Sequence, residues 1–417
     1  MITYDDLVND MAKGAKPKEQ WRIGIEHEQF LYHAGSGLPL PYDGAPGIRQ
    51  VLEEFIAAHG WTAAGGEGNL VALKKGGANI TLEPGGQFEF SGTPLLTLGQ
   101  VRYEADHFYK ALDAVAAKLG IGILRAGFHP EWRRDQIHKM PKERYGIMFP
   151  YMEEKGQYGV DMMLRTCGAQ VNLDFSSEAD MVKKYRVALG LQPLVIALMA
   201  NSSRAEGEET GYRSYRSLMW TDTDPDRCGV PEFVFEEGMG FARYVDYALD
   251  VPMYFILREG HHINVAGQSF RAFMEGKLQG HEGKYPTIGD WHDHLTTLFP
   301  EVRLKSYLEL RGPDSTEPLL VYAMASFWTG IFYDSDALDQ AYDLIRDWTP
   351  ELHKQLRADV ARSGLQTILP ERQTMLNLGL EAIQIADQGL ARQSLESRER
   401  ADLGAFREKI TQAALGG

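Results

Sequence analysis

Read for the alternation of apolar and polar positions, the chain mixes two periods. Leu98, Val101, Ala105, Phe108, Leu112, Val115 and Leu119 recur at steps of three and four, and Gly120 follows the last of them. That spacing predicts one helix of about 20 residues with a single apolar stripe, stopped by the glycine. A second helix is predicted after Ser176-Ser177, whose hydroxyls can accept the orphan amides ahead of Glu178. It runs on through Met181, Tyr185 and Leu189, with a kink expected at Pro193, where the ladder loses a donor. From Asp334 onward the composition is mostly helical, broken near Pro350 and Pro370. Between Gly60 and Gly92 the pattern changes, and nine glycines, several of them paired (Gly65-Gly66, Gly76-Gly77, Gly85-Gly86), punctuate short alternating segments. These predict strands joined by tight turns rather than a flexible tether. Helices and strands mix without strict βαβ alternation, so the expected class is α+β.

Four segments carry an unusual polar face. In 22–30, Glu26 and Glu28 share one face while Ile23 and Ile25 occupy the other. In 80–90, Glu83 precedes a Pro84-Gly85-Gly86 break, and Gln87 and Glu89 share a face after it. In 168–175, Gln170, Asn172 and Asp174 oppose Val171, Leu173 and Phe175. In 302–311, read as one strand, Arg303, Lys305, Tyr307, Glu309 and Arg311 oppose Leu304, Leu308 and Leu310. Any one such face is ordinary for an antiparallel sheet wetted on one side. Together they share a chemistry: several carboxylates, two amides and a short cationic row. Crowded carboxylates repel unless divalent cations bridge them, and oxygen-only donors select magnesium or manganese over zinc. A cationic row beside them suits a polyphosphate chelated by those metals. The residues therefore point to a metal–nucleotide site on an antiparallel sheet.

Charge and composition narrow the picture. The 417 residues carry a formal charge of −15, which disfavours non-specific nucleic-acid binding, and 44% are apolar, as in a folded enzyme. The most apolar segment, 187–200, is too short to span a bilayer, and the first residues lack the cationic start and apolar run of a secretory leader. A reduced, cytoplasmic protein with no membrane or nucleic-acid partner is the expectation. Cys167 and Cys228 can form one bridge at most. Other signatures fail on spacing. No phosphate-binding G-x-x-x-x-G-K-[ST] loop is present, and Gly120-Ile-Gly122 follows a helix rather than a strand. Asp222-Thr-Asp224-Pro-Asp226 lacks the glycine and the terminal glutamate of a calcium loop, and His27-Glu28 does not extend to H-E-x-x-H.

Longer runs add to this. Residues 21–28 (Trp-Arg-Ile-Gly-Ile-Glu-His-Glu), 80–92, 165–177, 220–224, 250–255 and 299–312 (Phe-Pro-Glu-Val-Arg-Leu-Lys-Ser-Tyr-Leu-Glu-Leu-Arg-Gly) resemble glutamate–cysteine ligases of the plant and proteobacterial type. The resemblance covers about residues 20–335 in order and leaves a helical part at about 336–417, so residues 1–417 are expected to form a single catalytic unit. It implies a fold like glutamine synthetase catalytic domains, with a curved six-stranded antiparallel sheet forming a funnel backed by helices. It also implies ATP-dependent joining of L-glutamate, through its γ-carboxylate and a γ-glutamyl phosphate, to L-cysteine. That reaction is the first step of glutathione synthesis.

By position in the matched runs, Glu26, Glu28, Glu83, Glu89 and Glu309 are the expected magnesium ligands. Arg311 is expected to stabilise the transferring phosphoryl group, with Lys305 helping to bind ATP. Arg144 and Arg216 are expected to hold glutamate and the reacting phosphate, and Arg165 to share that pocket. With only Cys167 and Cys228, the disulfide control of plant members is not carried over. A monomer and a non-covalent homodimer both stay open. The same residues would also serve a ligase using another amine acceptor, or a silent nucleotide-binding sensor on this scaffold.

Overall fold

The computed structural model describes residues 2–65, 68–370, 373–393 and 397–415. Its centre is a nine-stranded sheet built from β1 (Ile23–His33), β2 (Thr62–Ala63), β3 (Ala72–Lys75), β4 (Ala78–Leu82), β5 (Phe88–Ser91), β6 (Ile121–Leu124), β7 (Ala169–Leu173), β8 (Val302–Leu304) and β9 (Leu308–Leu310). The order is β8-β9-β7-β1-β5-β4-β3-β2, with β6 on the second half of β1, and every pairing is antiparallel. The four polar-faced segments supply six of these strands, and those six form one contiguous block from β8 to β4. β3 and β2 extend the edge beyond β4, and Gly66 of the glycine-paired region lies outside the described residues.

One expected strand is a hairpin. Segment 302–311 turns at Lys305–Tyr307, which brings Arg303 opposite Glu309. A straight strand would hold those two residues about 20 Å apart. The polar turn and the attraction between opposed charges favour the folded-back form.

The face opposite the polar side chains is apolar and covered. Ile23, Ile25, Ile80, Phe88, Phe90, Val171 and Leu308 are buried. Helices Leu98–Leu119, Glu178–Met199 and Pro318–Phe332 pack against it. Phe90 stacks on Phe108 of the first helix at a centroid distance of 4.3 Å. That helix begins at Thr97, which shares a reciprocal cap with Gln100, and ends at Gly120 in the left-handed region (φ +67°). Ser177 caps the second helix by accepting the Asp180 amide. The second helix continues through Pro193 without interruption to Met199; its last turns are buried on all sides, so neighbouring packing holds the chain across the missing donor. Beyond Asp334 come helices Ser335–Asp343, Pro350–Ser363, Met375–Arg392 and Leu403–Ala414. No helix among the described residues is long and apolar enough to cross a membrane.

Candidate active site

Strand register decides which polar groups meet. Glu28 on β1 lies directly opposite Glu89 on β5, and Glu26 lies opposite Gln170 on β7. Glu309 on β9 lies opposite Asn172 on β7 and Arg303 on β8. The sheet thus carries carboxylates toward β5, cations toward β8, and the amides of β7 between them. Those amides join the halves according to their own polarity. Asn172 donates its amide to Glu26 (Nδ2 to Oε1, 2.8 Å), while Gln170 accepts from Arg311 (Oε1 to Nη1, 2.8 Å).

Above this face is a cavity of about 290 Å³. Its lining includes four carboxylates, Glu26, Glu28, Glu83 and Glu89, and four guanidinium groups, Arg144, Arg216, Arg303 and Arg311. Burial, with the neighbouring Glu309 and Glu89 charges, pushes the Glu26 carboxyl up to about 8. Burial and the Glu89 and Glu83 charges do the same to Glu28, and burial also raises Glu89. Opposed carboxylates in a closed site keep their charge poorly unless a cation joins them. An oxygen-only donor set of this kind fits a hard divalent cation. No group of three or more His, Cys, Asp or Glu is drawn together as a ready-made metal cage among the described residues.

Glu309 departs from its expected place among the metal ligands. Its oxygens take a two-pronged ion pair from Arg303 (2.6 and 3.0 Å), with Arg311 at 2.8 Å and Lys305 at 3.3 Å. Against the penalty of burial, these three cations hold its carboxyl well below the usual range. Glu309 therefore serves as counter-ion to the cationic row, and neither it nor Lys305 lines the cavity. Arg165 also lies elsewhere: Asp161 and Glu206 neutralise it, and it donates to the Trp132 carbonyl. Arg144 and Arg216, by contrast, border the cavity, and each has a buried Nε without a partner. Arg303 and Lys142 also line it; Arg303 belonged to the expected cationic row without a separate role, and Lys142 had none. The signal for Arg303 was available, since it alternates with Glu309 across a turn. Lys142 carries only its position two residues before Arg144.

Behind the sheet, His27 points away from the cavity. Ser315 donates its hydroxyl hydrogen to the Glu28 carbonyl (2.6 Å), so His27 Nε2–H donates to Ser315 (2.9 Å) and Nδ1 accepts from Tyr109 (2.7 Å). Burial pushes this imidazole down to about 3, in keeping with the neutral tautomer. Cys167 and Cys228 are both free thiols, and burial pushes Cys228 up to about 12.

Carboxylates and guanidinium groups lining one cavity, on the open face of an antiparallel sheet, make a site suited to anionic substrates and a divalent cation. The chain belongs to glutamate–cysteine ligase family 2, whose family model matches residues 22–414. It is 48% identical over 392 residues to the chloroplastic glutamate–cysteine ligase of Nicotiana tabacum, covering 94% of this chain and 74% of that one. The chloroplastic ligase of Arabidopsis thaliana is 47% identical over the same shares, and ligase B of Oryza sativa is 46% identical over 98% and 80%. Among solved structures, the ligase PafA in its complex with Pup matches weakly, with a TM-score of 0.39 and 10% identity over 98% of this chain and 66% of that one. The chloroplastic names of the relatives overturn the cytoplasmic expectation. Charge and hydropathy, on which that expectation rests, do not separate cytoplasm from plastid.

Proposed function

We propose that this cavity carries out ATP-dependent joining of the γ-carboxylate of L-glutamate to the amine of L-cysteine. The observation that carries this reading is that four carboxylates and four guanidinium groups line one cavity. γ-Glutamylcysteine formation, the first step of glutathione synthesis, is the reaction of the family. Coupling a carboxylate to an amine requires activating the carboxylate first, and ATP supplies that activation as a γ-glutamyl phosphate. Two anions must then be brought into line, which costs charge repulsion unless cations surround them.

In this reading Glu26, Glu28, Glu83 and Glu89 hold magnesium, or manganese in its place. Such a metal supplies charge neutralisation for the phosphates, and a lining of separate carboxylates suits magnesium, which is generally bound by one or two carboxylates together with substrate phosphates. Arg311, kept charged and fixed by Glu309 and Gln170, stabilises the transferring phosphoryl group. Lys305 supports that charge through Glu309. Arg144 and Arg216 take the carboxylates of glutamate. Residues 1–417 act as one catalytic unit, because a side chain from the C-terminal helices reaches the elements that carry these arginines.

The test is release of ADP and phosphate from glutamate, ATP and magnesium against a panel of amines. Cysteine is expected to be preferred, and Arg311→Ala to lose about a hundredfold in kcat with folding intact, as for removal of one donor to a developing charge. A clear preference for another amine would move the substrate assignment to a sister ligase. ATP binding without turnover on any acceptor would make the chain a nucleotide sensor instead.

A further inference from the structure

Arg303 and Arg311 of the cavity both pair with Glu309, whereas Arg216 makes no ion pair with a carboxylate among the described residues. Its head is held by carbonyls instead: Nη1 donates to Gly312 (2.6 Å) and Nη2 to Arg311 (3.2 Å), while Nε has no partner. Gly168 lies against the guanidinium, and a side chain there would strike Nη2. A charge held by carbonyls keeps its full strength for an anionic ligand. Arg311 and Arg165, paired with acids, are arranged otherwise.

What holds the other end of Arg216 is Asp314, a fully buried carboxylate. Its Oδ2 accepts from Asn201 N (2.8 Å) and Ser202 Oγ (2.7 Å), and its Oδ1 from Ser214 Oγ (2.7 Å). With both hydroxyl hydrogens spent on the carboxylate, the serine oxygens are left as acceptors. Ser202 Oγ takes the backbone N–H of Arg216 (3.2 Å), and Ser214 Oγ takes that of Ser217 (3.1 Å), capping the short helix Tyr215–Met219. Gly127 makes room for this, since a side chain there would overlap the Asp314 carboxylate. Burial pushes the Arg216 pKa down, and Asp314 is the charge that most opposes that loss without touching the guanidinium.

We propose that Asp314 is a positioning residue for Arg216, acting through the hydroxyls of Ser202 and Ser214 to set the backbone from which the guanidinium enters the cavity. An amide at 314 cannot accept from both serines, so one link must reverse and the helix start must shift. The proposal rests on the reading of Arg216 as a glutamate-binding group, and the test separates the two. Steady-state constants for all three substrates are measured for Asp314→Asn, Arg216→Lys and the double variant. Asp314→Asn is expected to raise the glutamate KM about tenfold, as for a small misplacement of a binding group. The cysteine and ATP constants should stay within about twofold, and the double variant should be little worse than Arg216→Lys alone, since the two residues act as one unit.

Equal shifts in all three constants, or full additivity with Arg216→Lys, would overturn the proposal. Should Arg216→Lys leave the glutamate KM unchanged, the glutamate reading fails; positioning then stands or falls on whether Asp314→Asn copies the profile of Arg216→Lys. Where Asp314→Asn does not fold, Ser202→Ala and Ser214→Ala remove one link each and should show the same substrate selectivity. Ser214→Thr, which keeps the hydroxyl, should restore the wild-type constant. Silence of both alanine variants, singly and together, would also overturn the proposal.

Discussion

At the scale of single residues, the fate of a buried polar group depends on whether anything answers it. Glu309 is answered three times and stays charged; Glu26 and Glu28 are answered by other carboxylates and are pushed toward protonation. His353 is answered by nothing. It is 1% exposed, stacks on Phe235 with ring centroids 4.2 Å apart, and has no partner at either ring nitrogen. Burial pushes it down to about 4 from an ordinary 6.5. Between those values the unfolded chain binds the proton and the folded one does not, so folding stability falls as pH drops through this window. The expected loss is up to about 3 kcal/mol, complete near pH 4. Denaturant unfolding at pH 7 and pH 4.5 should show this loss in the wild-type chain and a smaller one in His353→Phe. An equal acid loss in both would exclude the histidine as its source.

Turns between elements fix how the strands present their acids. The β4–β5 turn at Pro84–Gln87 carries Glu83 on one side and Glu89 on the other, and Gly86 there has a φ of +85°. Gln87 ties the turn to helix Gly159–Arg165, donating to the Met163 (3.1 Å) and Thr166 (3.0 Å) carbonyls and accepting from Gly85 N (2.8 Å). A side chain at Gly85 would run into the Leu164 carbonyl. Gly85→Ala should therefore lose about 1–3 kcal/mol of stability by overpacking, measured by chemical denaturation, and should weaken magnesium dependence by moving two of the acidic residues. Much of this layout was legible in advance. Two glycine pairs, Gly76-Gly77 and Gly85-Gly86, marked turns, and alternation placed Glu26 and Glu28 on one face. Ser177 and Gly120 marked helix ends. What stayed hidden was pairing between distant segments. Asp161 stands one helical turn before Arg165 and could have been paired with it from spacing alone, but nothing local says that Glu206 completes that neutralisation or that Asp314 lies under Arg216. Those depend on loops that meet only in the folded chain.

On the scale of the whole molecule, the helical part beyond Asp334 reaches the site through helix Pro350–Ser363, whose Ala361 carbonyl accepts from Ser214 N (2.9 Å). Arg357, on helix Pro350–Ser363, pairs with Glu301 and donates to the Ser217 carbonyl (2.7 Å) at the end of the short helix that carries Arg216. The Glu301 backbone carbonyl in turn accepts from Arg311 N (3.0 Å). Arg357→Met should lower kcat/KM about tenfold although the residue lies outside the cavity, and should destabilise the fold by about 3–5 kcal/mol because Glu301 is left buried and unpaired. Adding Glu301→Gln should recover most of the stability and little of the activity, as read by unfolding curves and steady-state kinetics side by side. Unchanged kinetics in the single variant would mean that the C-terminal helices only support the core. The overall charge of −15 also reads differently at this scale, since part of it sits in the wall of the cavity, where a divalent cation would offset it.

Residues 311–314 supply one cation, clasp a second by two carbonyls, and hold that second cation's helix by a carboxylate. The gap between the two positive charges is thus measured out by a few consecutive links of covalent chain, not by the packing of separate elements. Such a stretch works as a ruler. Surface loops elsewhere can take an extra residue at small cost, but one residue added here would change the gauge of what fits between the charges.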